Sequence, residues 1–508
     1  LVSSGTPSCT PPFVGAAPAG PPLLLPHCPG CCSARSMEAF DPRSGACALT
    51  NDEAMIAGAW DAGIDFTTKD AAMPDARRVK SGYLDRSSAL AAAANLPEFL
   101  AKLPKAELHV HIEGCLTPQL CHSIAVRNGL DATAFDPAEA TRRRQCGSWL
   151  HGDYQPMLFC GPNEMAINAF LTEYTRCNAI MRTEQDFYEL MLGYLERAAE
   201  NGVVRAEIFF DPQMHCFEDT SGAGAAAAEA MGGPPRMPCG VGGPRMPYAA
   251  VISGLWRGIE EGRARFGVDG ALILSFLQDR SLEEAMAVLD EALKPDNVGK
   301  IIGVGMDNGT GPWGHGSTSR FKPVYEKAKA VGLMLSAHAG EEEGAACVEM
   351  CLDVLKCDRI DHGVRCLEDA AVVRKLKDRN TPCTVCPISN HRAQIVPRIF
   401  CGESPVRAML EAGVNVAGLH SDDPAYCAIG TVDERCYACE PQTYDGYVNS
   451  AYMRAARDSG LTPDECVLLA KRSIEACWKL TDAQRAGYLE KLRAYCDGWR
   501  PKAAAGRK

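Results

Sequence analysis

Eight short runs of apolar and β-branched residues recur along the chain: AELHVHI, VVRAEIFF, ALILSFL, IIGVGM, LMLSAH, RIDHGV, PCTVC and VNVAGLHS. Helical periodicity fills most of the gaps, as in EAMAVLDEALK at 284–294 and PVYEKAKAVG at 323–332. A strand–helix alternation repeated about eight times predicts an α/β fold, a (β/α)8 TIM barrel with loop insertions, over residues 98–490. A doubly wound open sheet also alternates, but no Gly-rich phosphate turn follows the first run. In a barrel all strand C-termini open on one mouth, so reactive side chains are expected there.

Several segments fall outside this pattern. Residues 1–97 read as a weakly structured extension with an Ala-rich amphipathic stretch at 88–101. Within it, residues 1–36 are rich in Pro, Gly, Ser and Cys and contain no acid, as in an organelle transit segment, with Met37 an alternative start. Residues 218–247 hold a near-duplicate, GGPPRMP and GGPRMP, and read as a low-complexity surface insertion. Residues 141–163 and 430–446 look like further loop expansions, and 491–508 like a tail. The net charge of −12 without a dense basic run argues against a nucleic-acid partner. The longest apolar runs are too short to cross a bilayer. Twenty-five scattered cysteines lack disulfide-type spacing and read as reduced, which suits the cytoplasm, or an organelle if residues 1–36 direct import.

Metal-type residues cluster at the expected strand ends. The first run ends in His109-Val110-His111, the fifth in His338-Ala339-Gly340-Glu341, and the eighth in Ser421-Asp422-Asp423-Pro424; the sixth contains Asp361-His362-Gly363. Side chains two apart on a strand share a face, so His109 and His111 can reach one ion. With His338 and Asp422 they form a three-His, one-carboxylate set suited to catalytic Zn²⁺. His111-Ile112-Glu113 and Pro382-Cys383-Thr384-Val385-Cys386 also spell the H-x-E … P-C-x-x-C signature of another zinc class. Cys383 and Cys386, three apart on a predicted strand, would face opposite ways, so that match reads as coincidence, with Glu113 and both cysteines set aside. The fourth run has no lysine to carry a metal-bridging carboxylate, which favours one ion per chain.

ELHVHIEG, SAHAGEEE, RIDHGVRCLED, TVCPISN and HSDDPAY resemble, in order, motifs of the adenosine/adenine deaminase family of the amidohydrolase superfamily. RTEQDFYEL at 182–190, FFDPQMH at 209–215 and the SDDPAY ending are more similar to the adenine branch. The resemblance spans about residues 97–480 and implies hydrolytic deamination of a small-molecule purine, adenine to hypoxanthine and ammonia. It implies Zn²⁺ on His109, His111, His338 and Asp422, Glu341 as the proton shuttle to ring N1, His362 orienting the water, and Asp423 on purine N7. A shuttle carboxyl needs a raised pKa, and Asp423 needs a proton to donate to N7. Three departures touch specificity. His420 stands where the branch has Asn, CAIG at 427–430 replaces an FGGY-like run, and MDNGTGPWGHGSTSRF is longer and lacks the branch's acid beside the purine. Adenosine or an N6-substituted adenine is therefore an alternative substrate, and a non-catalytic barrel relative the reading from another class. His391 reads as surface or pocket rim in the loop after the seventh run.

Overall fold

The computed structural model describes residues 81–500, apart from 142–173, 218–244, 308–316, 429–444 and isolated positions beside them. The transit-like segment and the bodies of the three expected insertions lie outside these residues. Eight parallel strands follow one another in sheet order exactly as in sequence: β1 Lys105–Glu107, β2 Val203–Phe210, β3 Asp269–Phe276, β4 Ile301–Met306, β5 Met334–Ala339, β6 Arg359–His362, β7 Cys383–Val385 and β8 Val416–Leu419. Helices connect and surround them, as the alternation predicts. Two more, Arg86–Ala94 and Leu96–Ala101, precede the barrel, and Phe99 of the second packs its ring against Trp499 at 5.2 Å. Among the described residues no helix is long and apolar enough to cross a membrane.

Local chemistry accounts for the helices that hold the barrel. RTEQDFYEL starts the helix Glu184–Glu200 with a capping box, Thr183 and Asp186 each satisfying the other's backbone N–H. The helix Tyr248–Phe266 packs on it through Gly254, Gly258 and Gly262, one per turn. A Cβ on Gly254 would meet Glu184 O at 2.3 Å, and one on Gly258 would meet Met191 Cβ at 2.7 Å, so any side chain there would force the helices apart. Inside the barrel, Phe209, Ile273 and Trp478 form a small apolar core separate from the outer one between sheet and helices. Arg359 lies over the Trp478 ring at 3.8 Å and pairs with the equally buried Glu207 at 2.8 Å. This plug leaves only the C-terminal mouth open to chemistry.

The first strand differs from expectation in length. Regular pairing on β1 stops at Glu107, because the next residues divide their hydrogen bonds between two neighbours. His111 N–H donates to Asp422 O at 3.0 Å and Asp422 N–H to His109 O at 3.1 Å, on the β8 side. Ile112 N–H donates to Phe209 O and Phe209 N–H to Val110 O, both at 2.9 Å, on the β2 side. Side chains complete the seam. Leu108 N–H donates to His420 Nδ1 at 3.2 Å, and His420 Nε2–H donates to Ala417 O at 3.1 Å. Glu107 Oε1 accepts from the backbone N–H of Ser421 at 3.1 Å and from its hydroxyl. His420, the departure from the branch's Asn, thus joins β8 to β1 as a fully buried neutral imidazole, which burial holds well below its ordinary pKa.

Replacing His420 by Ala strands the Leu108 N–H in the core, and each buried unpaired group costs about 1–3 kcal/mol. His420→Ala should therefore lower the unfolding free energy measured in urea by that amount, and His420→Asn by less; an unchanged value for Ala would show the seam does not depend on the imidazole.

Candidate active site

Just beyond the regular part of β1, His109 and His111 turn their rings into the barrel mouth. His338 from β5 and Asp422, which follows β8, meet them there. His109 Nε2 and His338 Nε2 are 3.0 Å apart, and His111 Nε2 and His338 Nε2 3.1 Å. Asp422 Oδ1 lies 3.3 Å from His109 Nε2 and 3.4 Å from His111 Nε2. All four residues are buried, with donor atoms within 4.8 Å of one another. Phe209, stacked on His111 at 5.1 Å, forms the apolar floor.

The outer ring nitrogens decide what the inner ones present. His338 Nδ1 is 2.8 Å from Met306 O, which can only accept, so Nδ1 carries the proton and Nε2 a lone pair. Thr384 donates its hydroxyl to Asp361 Oδ1 at 3.0 Å, leaving Oγ1 to accept from His109 Nδ1 at 3.0 Å. His109 Nε2 is therefore a lone pair too. Two lone pairs 3.0 Å apart repel unless positive charge lies between them. Burial opposes a charge on His338, yet the fields of Asp361, Asp307, Asp422 and Glu341 together raise its pKa, so this point favours a cation. Burial likewise opposes ionisation of Asp422, but the imidazoles of His109, His362 and His111 around it hold that carboxyl well below the usual carboxylate range. An N₃O set with edges near 3.0–3.4 Å fits an ion bonded at about 2.0–2.2 Å, the distances of zinc to His and Asp.

Glu341 and His362 form the second half of the site. Asn390 Nδ2 donates to Glu341 Oε1 and to His362 Nδ1, both at 3.0 Å. With Nδ1 accepting, His362 carries its proton on Nε2, 3.3 Å from Glu341 Oε2 and 3.8 Å from Asp422 Oδ2. Burial brings His362 down to about 4, so the ring is neutral at pH 7 and acts as a single-proton donor. His362 and Asp422 both have φ +64, a left-handed conformation costing about 1–3 kcal/mol for a non-Gly residue. Such strain is retained where a side chain must point in one direction.

Asp423 is the neighbour of Asp422 with the opposite electrostatics. Burial, then the charges of Asp422, Asp307, Glu341 and Glu113, push its carboxyl well above the usual range, toward the protonated form. A Cβ on Gly114 would sit 2.0 Å from Asp423 Oδ1, so only glycine leaves room for this carboxyl.

All seven residues singled out from the sequence lie at this mouth. Several of their partners were not anticipated: Asn390, Thr384 and Asp361 orient the imidazoles and Glu341, and Asp307 Oδ2 stands 3.8 Å from His111 Nδ1. Asn390 and Thr384 sit in the quoted TVCPISN, where no spacing rule marks them as polar positions of the mouth. Cys383 is a β7 core residue, whereas Cys386 lies past the strand end, with His109 and His362 within 4.8 Å. Burial pushes both thiols up, so neither is a ready thiolate. Glu113 turns elsewhere, accepting from His215 Nε2 at 3.2 Å. His391 is on a short helix, Pro387–Arg392, rather than in a loop, and its Nδ1 accepts from Arg454 at 3.1 Å.

The family model described as adenosine deaminase matches residues 104–495. An adenine deaminase of Streptomyces coelicolor is 37% identical over 397 residues, 78% of this chain and 96% of that protein. One from Trichlorobacter lovleyi is 35% identical over 399 residues, 78% of this chain and 94% of its own length. The crystal structure of adenine deaminase from Arthrobacter aurescens superposes with a TM-score of 0.59 at 32% identity, covering 78% of this chain and 99% of that one.

Thr384→Val removes the acceptor that fixes the His109 tautomer. It should weaken metal binding about 10–100-fold in a chelator competition with the fold intact by circular dichroism; unchanged affinity would show that the Asp361–Thr384–His109 chain is idle.

Proposed function

The chain belongs to the adenosine deaminase family and is a hydrolytic deaminase, and within that family we propose that it converts adenine to hypoxanthine and ammonia with one Zn²⁺, a purine-salvage reaction. The observation that carries this reading is the inward convergence of four buried donor atoms, three imidazole nitrogens and a carboxylate oxygen, beside the Glu341 carboxyl. The resemblance of the whole barrel to adenine deaminases supports the base as substrate.

His109, His111, His338 and Asp422 would hold the ion. Zinc bound there supplies Lewis acidity that brings a water's pKa to about 7. The remaining work falls to the chain's own groups. Glu341, held by Asn390, stands where a carboxyl can pass a proton to ring N1, which makes C6 electrophilic. His362, neutral with its proton on Nε2, orients the attacking water between Glu341 and Asp422. Water adds at C6 as it gives up both protons, one returning to Glu341 and one reaching the amino nitrogen, and the C6–N bond breaks to release ammonia. Asp423, protonated by its surroundings, donates to N7, which requires an unprotonated N7.

Ammonia release should follow addition of adenine, fall with a chelator and return with zinc. Equal or better kcat/KM for adenosine or an N6-alkyladenine would displace adenine as the substrate, and ammonia from no purine despite bound zinc would mark a non-catalytic relative. Glu341→Gln should keep zinc and lower kcat by at least about 10²; loss of zinc in that variant would make Glu341 a ligand instead.

A further inference from the structure

Nothing in this chemistry uses FFDPQMH, yet the segment repeats a device of the active site. β1 lies between β8 and β2, and each neighbour runs out into an Asp-Pro that opens a short helix: Asp423-Pro424 into Pro424–Cys427, Asp211-Pro212 into Pro212–Cys216. The two aspartates have the same backbone conformation, φ −114, ψ 73 and φ −112, ψ 68. An Asp before a helix-opening Pro ordinarily caps the helix. Neither side chain makes that bond. Both carboxyls are instead buried at the mouth, on either side of the His109–His111 strand.

Asp211 is fully buried. Tyr174 donates to its Oδ2 at 3.3 Å, while Oδ1 has no hydrogen-bond partner among the described residues. Its carboxyl stands within 4.8 Å of the donor atoms of His111 and Asp307. The turn is held rigidly, since Glu113 Oε1 accepts the Asp211 N–H at 3.0 Å. Burial, then the charges of Asp307 and Glu113, push this carboxyl above the usual range, and in either protonation state it keeps an accepting oxygen; a buried acceptor left unpaired is costly, and a donor supplied by a ligand removes the cost.

The purine supplies one. Free adenine carries an N–H on its five-membered ring, on N9 in its common tautomer, and once the base is buried that N–H needs an acceptor. A riboside has no N–H at that position. We propose that Asp211 accepts the N9–H of the free base and is the residue by which this deaminase selects a base over its N9-substituted forms. The inference rests on the purine reading above.

The test compares kcat/KM for adenine and 9-methyladenine in the zinc-loaded wild type, Asp211→Asn and Asp211→Ala, with zinc content measured in each. The wild type should favour adenine by about 10⁴, and the ratio should fall to about 10² or less in both variants at unchanged zinc. Asp211→Asn keeps the side chain's size, so it reports even if Ala fails to fold. A wild type that uses both compounds equally, or variants that keep the wild-type ratio, would overturn the inference and leave adenine deamination standing. Zinc loss parallel to the ratio would overturn it as well, placing Asp211 in a cation site with His111 and Asp307. No ammonia from adenine in the wild type would overturn the purine reading and this inference with it.

Discussion

Two imidazole lone pairs directed at each other across 3.0 Å are the constraint around which the mouth is built. Neither ring can turn away, because Met306 O fixes one and the Thr384–Asp361 pair fixes the other. The fixing groups come from β4, β6 and β7, and the rings they fix from β1 and β5. Five strands thus hold close two ring nitrogens that would repel with nothing between them, an arrangement suited to a cation. Removing a water-exposed charge elsewhere on the surface would change little by comparison.

Asp422 and Asp423 show how far one residue's spacing changes a carboxyl. Asp422 faces three imidazoles, which favour its ionised form; Asp423 faces four other acids, which favour its protonated form. The left-handed backbone at Asp422 separates the two directions. A single turn of chain thereby presents two carboxyls of opposite tendency, one toward the ionised form and the other toward the protonated.

The barrel was legible because its signal is periodic and repeated: eight apolar runs of strand length, each followed by a turn or helix signal. The four metal-type residues were legible because His-x-His on a strand has a face, and a strand end has a location. The orienting residues lack such marks. Thr384 and Asn390 are common residue types whose importance comes from which strand end lies next to theirs, and β7 meets β1 only across the barrel mouth. The end of regular pairing at Glu107 was hidden for a similar reason, since sharing hydrogen bonds between β8 and β2 is a property of closure and leaves no period in the sequence. Glu113 and Cys386 mark the limit of alternation as a guide, because each lies beyond the end of its strand, where the two-residue period has lapsed.

The seam between β1 and β8 has a consequence for how the molecule is made. Its partners, Leu108 and His420, are separated by 312 positions, so the contact closes a very long loop and belongs to the slow class of folding events. His109 and His111 are among the first barrel residues to leave the ribosome, and Asp422 is among the last. The four-residue cluster is not complete until the eighth strand arrives, so an ion held in the mouth would act as a late clasp on the closed ring, and its binding would contribute to folding. A chain cut short before β8 would keep all three ligating histidines and still have no completed site.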